Sequence, residues 1–271
     1  MQTILSLGRA PSRRPATRLE VCATASYARI QDAIDAAASG DEIVVCAGTY
    51  EERLVVDGMQ LEIRGEDGVN VTIIDALEAG TTLTVTEGAE LTVEGLTLRH
   101  GLSANGGGNI NCEGSTLVLS QVNVELGVAA WGGGLAADRG TLLVTGGRFS
   151  RNAATGDEGG GGVFLASSSG SIACAEIVHN TAYRGAGVYL KGDLMQLSHN
   201  SIGRNAASIG GGLFTHGNST ITGNSFAVNT ASYVGGGAFL SGHDGEVRGN
   251  AFTRNSANED GGGLYVSGGA P

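Results

Sequence analysis

The sequence has few basic residues, few prolines and no long apolar segment. Its 16 Lys and Arg are outnumbered by 27 Asp and Glu, which gives a formal net charge of -11. A nucleic-acid-binding protein needs a basic surface to displace counterions, so this balance excludes nucleic acid as a partner. No run approaches the roughly 18 consecutive apolar residues of a transmembrane helix, so no membrane-spanning segment is expected.

Proline is scarce at 3 residues, whereas glycine is abundant at 47. Glycine does not fall at every third position, which excludes collagen. A disordered linker is also excluded, because 41% of the residues are hydrophobic and they recur in register. The glycines therefore indicate backbone turns that repeat along the chain.

Two short motifs alternate through the second half of the chain. One ends in asparagine, as in Phe226-Ala-Val-Asn229, and the other is a glycine cluster followed by apolar residues, as in Gly210-Gly-Gly-Leu-Phe214. The glycine clusters start at residues 160, 185, 210, 235 and 261. A fixed period of this length with strand-like content predicts a solenoid of stacked coils.

Each coil is expected to contain three short strands, so the fold class is all-β with three parallel sheets. About 10 coils at ~4.8 Å each would make a rod about 45 Å long. Residues 1–18 are expected to be an unstructured lead, and residues 19–50 an N-terminal cap. The β-helix then covers residues 51–271, with the regular glycine and asparagine repeats starting at 106.

The cap is expected to be a strand, an amphipathic helix and a second strand. Ser26 is a candidate N-cap, Ile30, Ala33 and Ile34 lie on one helix face, and Gly40 closes the helix. Such a helix covers the open sheet edge and the exposed core at the end of a parallel solenoid.

The motifs Ile30-Gln-Asp-Ala-Ile34, Gly40-Asp-Glu-Ile-Val-Val45 and Gly48-Thr-Tyr50 resemble the N-terminal cap of right-handed parallel β-helices of the pectin-lyase-like superfamily. That resemblance implies a right-handed solenoid. The paired Phe-x-x-Asn and Gly-Gly motifs resemble the repeats of chlamydial polymorphic outer-membrane proteins. In that family the β-helix is displayed on the cell surface and works in adhesion. The repeats run up to Val266, so further sequence or another subunit is expected to cover the C-terminal end.

Aligned coils place like residues in columns, and four apolar columns are assigned to the core. An asparagine column is expected to form hydrogen bonds along the axis or to satisfy corner backbone groups. This structural asparagine ladder consists of Asn152, Asn180, Asn205, Asn229 and Asn255, with a shorter one at Asn200, Asn224 and Asn250.

An aromatic column lies between two inward columns, so alternation along the strand points it outward. Its members are Phe164, Tyr189, Phe214, Phe239 and Tyr265. As an exposed strip it would contact sugar rings or a partner protein. The alternative is that the aromatics stack only to stabilise the sheet.

Polar side chains suggest no catalytic constellation, cofactor or metal site. The acidic pairs Asp157-Glu158 and Glu259-Asp260 sit at corners several coils apart, too far apart to supply the six to eight oxygens that Ca²⁺ takes. His216 lacks an acidic or basic companion in the neighbouring coil. The row Arg151, His179, Arg204, Val228 and Arg254 would either meet an anionic polymer or form a solvated row.

The four cysteines give information about the cellular compartment of the protein. Cys22 and Cys46 flank the cap helix on strands expected to be adjacent, so they are predicted to form a disulfide, which would place the protein outside the cytosol. Cys112 and Cys174 fall in different columns and are expected to be free.

The leading hypothesis is a non-catalytic, secreted or surface-exposed β-helical rod, associated with the outer membrane and working in adhesion or as a scaffold. Its partner would be a cell-surface glycan or protein. The alternative is a polysaccharide-active β-helix enzyme, either a pectate-lyase-like lyase or a glycoside hydrolase. A third hypothesis is a structural repeat without a ligand.

The inward columns generate a first prediction. Truncating Ile202 to Ala should lower the free energy of unfolding by about 2–5 kcal/mol, because a buried methyl cluster is lost and a cavity remains. Urea unfolding measures this change, and a loss below about 1 kcal/mol would contradict the inward assignment.

Overall fold

The structure, a computed structural model, describes residues 14–192, 194–242 and 244–268. It is a right-handed parallel β-solenoid in which every coil pairs with the next, and the predicted fold class is confirmed. The strands form four parallel sheets of 10, 9, 9 and 6 strands, which we call A, C, B and D. The coil runs through sheets A, B and C at first and through A, B, D and C from residue 128 onward.

The strands are numbered in chain order. Sheet A contains β1 (Arg18–Val21), β2 (Asp41–Val45), β5 (Gln60–Gly65), β8 (Glu90–Glu94), β11 (Thr116–Ser120), β15 (Thr141–Thr145), β19 (Ser169–Ala173), β23 (Leu194–Ser198), β27 (Thr220–Thr222) and β31 (Val247–Arg248). Sheet B contains β3 (Gly48–Tyr50), β6 (Thr72–Asp75), β9 (Thr97–Arg99), β12 (Asn123–Glu125), β16 (Arg148–Ser150), β20 (Glu176–Val178), β24 (Ser201–Gly203), β28 (Ser225–Ala227) and β32 (Ala251–Thr253).

Sheet C contains β4 (Leu54–Asp57), β7 (Leu83–Thr86), β10 (Ile110–Glu113), β14 (Leu135–Asp138), β18 (Val163–Ala166), β22 (Val188–Lys191), β26 (Leu213–His216), β30 (Ala238–Ser241) and β34 (Leu264–Ser267). Sheet D contains β13 (Val128–Trp131), β17 (Ala153–Gly159), β21 (Thr181–Arg184), β25 (Ala206–Ile209), β29 (Thr230–Val234) and β33 (Ser256–Ala257). Three sheets were predicted from the sequence, and the presence of a fourth, sheet D, corrects that prediction.

The cap helix α1 (Ile30–Ala36) covers the N-terminal end of the coil stack. Its buried residues Ile30, Ala33 and Ile34 pack into the main core. The predicted N-cap Ser26 is wrong, since Arg29 occupies that position without a side-chain cap. Instead, the carboxylate of Glu52 accepts hydrogen bonds from the backbone N–H groups of Ile30 and Gln31, at 2.9 and 3.1 Å. No described helix has the length and hydrophobicity needed to span a bilayer.

A disulfide bond joins two segments of the cap beside this helix. Cys22 and Cys46 form a disulfide with their Cα atoms 5.3 Å apart. Cys112 is a buried free thiol and Cys174 an exposed one. Most of the predicted lead, residues 1–18, lies outside the described residues, and β1 begins at Arg18.

The main core lies between sheets A, B and C. Phe149, Ile177, Ile202 and Phe226 are each fully buried in it. The same column of residues is more exposed near the last coil, where Phe252 is only partly buried against this core.

Two asparagine ladders run along the solenoid axis inside its corners. In the longer one the Nδ2 of Asn180 donates to the Oδ1 of Asn205 at 3.0 Å, and the Nδ2 of Asn205 donates to the Oδ1 of Asn229 at 3.0 Å. The same Oδ1 of Asn205 accepts the backbone N–H of Asn180 at 2.9 Å. Asn109, which the column alignment missed, joins this ladder through Asn152 at 3.2 Å. Asn200, Asn224 and Asn250 form the second ladder in the same way.

The ladder generates the second prediction. Replacing Asn205 by Ala removes the acceptor of a buried backbone N–H and of a buried amide, so the free energy of unfolding should fall by about 1–3 kcal/mol. The exposed Asn258 serves as the matched control, and its change to Ala should leave urea unfolding nearly unaltered. Equal losses in the two variants would show that the axial hydrogen bonds do not stabilise the fold.

Candidate active-site groove

One corner of the solenoid carries an arginine in a conformation that suits glycine. Each strand of sheet C is followed by a residue with positive φ. These residues are Gly58, Glu87, Gly114, Arg139, Ser167, Gly192, Gly217, Gly242 and Gly268. An L-residue with a left-handed backbone costs roughly 1–2 kcal/mol, whereas glycine adopts it without penalty. Glu87, Arg139 and Ser167 are the non-glycine members of this set. Arg139, with φ at 53°, is the one whose guanidinium bridges two carboxylates, so it identifies a candidate site.

The guanidinium of Arg139 joins two carboxylates from neighbouring coils. Its Nη2 donates to Oε1 of Glu113, and its Nη1 lies 3.0 Å from Oδ2 of Asp138. Glu113 ends β10, Asp138 ends β14, and the two are register partners. Their backbones are therefore one strand spacing, ~4.8 Å, apart. Both carboxylates stay accessible, since their side chains are 53% and 40% exposed.

These three residues line one side of a groove of about 440 Å³ on the outer face of sheet C. Asn111 and Ala136 contribute to its floor, while Ser103, Asn105 and Trp131 line the other side. The indole of Trp131 lies against Gly106, where a Cβ atom would collide with its Nε1. An aromatic side chain and polar side chains thus line one space, an arrangement that suits a sugar.

The groove continues toward the N-terminal cap. Thr81 also lines an adjoining cavity of about 580 Å³, whose other lining residues include Arg53, Val55 and Thr84. Val55, Thr84, Asn111 and Ala136 are register partners on successive strands of sheet C. Together they form the floor of one groove that crosses β4, β7, β10 and β14.

A second polar cluster lies on sheet B, outside the groove. The carboxylate of Asp75 is 2.8 Å from Nε of Arg99 and 3.0 Å from Nδ1 of His100. Burial alone would raise the pKa of Asp75, but hydrogen bonds from the backbone of Leu77 and from the side chains of Arg99 and His100 outweigh it. The pKa of Asp75 is therefore held below its ordinary value.

The aromatic column does not form an exposed strip. Phe164, Tyr189 and Phe214 are only 3%, 6% and 8% exposed. Sheet D covers them and creates a second hydrophobic cluster, in which consecutive rings stack with centroids 4.9–5.2 Å apart. Phe239 and Tyr265 are partly exposed. The prediction of a contact strip of five exposed aromatic residues is therefore corrected. Alternation along the strand could not show that another sheet covers this face.

The other polar residues singled out from the sequence do not converge. Arg151, His179, Arg204 and Arg254 have positive φ and are exposed. Among the hydrogen bonds of the described residues, the side chain of His216 contacts only Ser241, at 3.4 Å. Glu158 pairs with Lys191 at 3.7 Å. Within the described ranges, no group of three or more His, Cys, Asp and Glu is placed to hold a metal ion.

Comparisons with known proteins identify the fold. No family model and no curated protein matches the chain. Among solved structures, pectin methylesterase PemA from Erwinia chrysanthemi matches with a TM-score of 0.52 at 12% identity, over 86% of this chain and 90% of that one. A pectin methylesterase from Aspergillus niger has a TM-score of 0.43 at 17% identity, over 97% of this chain and 88% of that one. A pectin methylesterase mutant in complex with a hexasaccharide has a TM-score of 0.48 at 13% identity, over 80% and 82%.

These matches correct the functional hypothesis. The match with PemA supports the predicted parallel β-helix fold. The resemblance to chlamydial outer-membrane repeats finds no support in the comparisons. The matched structure with a TM-score above 0.5 is that of a pectin methylesterase. The hypothesis of a non-catalytic adhesion or scaffold rod is therefore corrected, because this match supports the alternative of a polysaccharide-active enzyme better. At 12% identity the likeness itself establishes only the fold.

The Asp75 cluster generates the third prediction. A carboxylate whose folded pKa is depressed stabilises the fold above its unfolded pKa of about 3.9, and this contribution disappears as the pH falls through the folded pKa. Asp75→Asn should lower the melting temperature at pH 7, and its deficit relative to wild type should shrink below about pH 4. The exposed Asp157, changed to Asn, is the control. A deficit that is constant from pH 7 to pH 2.5 would contradict the ionic role of Asp75.

Proposed function

We propose that this protein is an enzyme that hydrolyses ester groups on a polysaccharide, with Glu113, Asp138 and Arg139 as its reactive groups. The observation that carries the proposal is the guanidinium of Arg139, which joins two accessible carboxylates in the groove. The fold shared with a pectin methylesterase supports it as a scaffold on which this reaction class occurs.

The chemistry assigns one role to each group. Asp138, the less exposed carboxylate, takes a proton from water while the water oxygen adds to the ester carbonyl carbon. The N–H groups of Arg139 and the amide of Asn111 donate hydrogen bonds to the oxyanion of the tetrahedral intermediate. The intermediate collapses with cleavage of the carbon–oxygen bond, and the leaving alcohol takes the proton from Asp138. Glu113 holds the guanidinium between the two coils.

Glycoside hydrolysis suits this arrangement less well. It requires one protonated carboxyl group that donates to the glycosidic oxygen. Here both carboxylates are paired with the same cation, Arg139, so each acts as an acceptor. A carboxylate base beside a cationic donor is the arrangement that ester hydrolysis needs.

We also infer that the protein works outside the cytosol. The disulfide between Cys22 and Cys46 supports this, because structural disulfides are rare in reducing compartments. An extended polysaccharide is the partner that such a location and an open groove favour.

The fourth prediction separates catalysis from folding. Arg139→Gly restores the residue type that suits this corner, so the melting temperature should stay equal or rise, whereas ester hydrolysis should fall by about 100-fold or more. Asp138→Asn should cause a similar loss of activity. Activity is measured as methanol release from methyl-esterified pectin and acetate release from acetylated polysaccharides.

Ser167→Gly is the matched control, because it makes the same kind of change one coil further on, outside the groove. It should leave the rate of release unchanged. A wild-type protein that releases neither methanol nor acetate would refute the proposed function, and so would full activity in the Arg139→Gly variant.

A further inference from the structure

The floor of the groove passes from open to covered along the solenoid axis. Val55, at the N-terminal end of the row, is 42% exposed, whereas Ala136 is 4% exposed. The next register partner, Phe164, is 3% exposed and lines the end of the groove. The open surface of the row therefore ends within three coil steps of Val55, about 14 Å.

Sheet D causes this closure. Its first strand, β13, lies beside the row at Trp131, and the bridges Leu102–Val128 and Gly106–Trp131 attach the preceding loop to it. Trp131 on β13 and Ile209 on β25 pack against the aromatic column. The ion pair between Glu158 on β17 and Lys191 on β22 also crosses from sheet D to the outer edge of sheet C.

The end of the groove is backed by a continuous stack of rings. The ring of Phe164 stacks on Tyr189 at 5.1 Å, and Tyr189 stacks on Phe214 at 4.9 Å. A sugar chain lying along the row could pass this point only by displacing the second hydrophobic cluster. Asp138 stands on β14, the last strand before Phe164, so the reactive carboxylates lie at the closed end.

We infer that the groove is blind and that it receives the end of a polysaccharide chain, so the enzyme acts on terminal residues and not on internal ones. This inference rests on the proposed function for the reaction itself. Its structural content, recognition of a chain end, is independent of whether the bond cleaved is an ester.

Binding measurements test the inference without turnover. The probes are linear oligogalacturonides with free ends, with a bulky group on the reducing end, on the non-reducing end, or on both. Titration calorimetry should show that one singly blocked probe binds like the free oligomer, and that the other and the doubly blocked one bind at least tenfold more weakly. Equal binding of the doubly blocked and free probes would overturn the inference, as would a failure of all probes to bind.

A matched pair of variants assigns the effect to the end of the groove. Phe164→Ala removes the ring that closes it and should restore at least part of the binding of the weakly bound, singly blocked probe. Phe239→Ala removes an equivalent ring of the same stack far from the groove and should leave the selectivity unchanged. Identical selectivity in both variants and wild type would contradict the role of Phe164. Selective binding without any ester release would refute the proposed function but retain the blind groove.

Discussion

The stacking of each coil on the next, with like residues in register, is the constraint on which the whole structure depends. Every strand inside a sheet obtains its hydrogen bonds from the coil before and the coil after it, so a shift by one residue would unpair the backbone and turn the core outward. The asparagine ladders impose the same condition on side chains, because Asn205 satisfies Asn180 only when both occupy the same place in their coils. Variation is thus restricted to outward positions and corners, and the groove is built from both.

Sheet D links stability to function in this architecture. By covering the aromatic column it creates a second hydrophobic cluster beside the main core. The same sheet begins only at β13, so the outer face of sheet C stays open over the first coils. The border between covered and open surface is where Trp131, Asp138 and Arg139 meet. An added sheet and the loop between β9 and β10 therefore shape the groove together.

Much of the fold could be predicted from the sequence, because columns such as Ile177, Ile202 and Phe226 repeat with the period of the coil. The cap helix was likewise evident from Ile30, Ala33 and Ile34. Sheet D was missed because its strands are rich in small or polar residues, as in Thr181–Arg184, and such residues are typical of corners. Its absence from the prediction is also why the aromatic column was expected to be exposed.

The groove residues were harder to predict, because Glu113 and Asp138 are 25 positions apart and neither belongs to a repeated motif. A signal was nevertheless present. Both occupy the last position of a sheet C strand, and the residue after them is Gly114 in one coil and Arg139 in the next. The cap of α1 by Glu52 was invisible for a different reason, since that contact spans 22 residues and depends on the docked helix.

The corner that holds Arg139 has a positive φ after every described strand of sheet C. At Gly58, Gly114 and Gly242 φ is 54–59°, close to the 53° of Arg139, so a side chain there would leave the backbone in a similar direction. One glycine codon changed to a larger residue would install a new functional group without disturbing the coils above and below. A solenoid of this kind can therefore relocate, duplicate or lose a reactive centre by single substitutions, while its architecture stays constant.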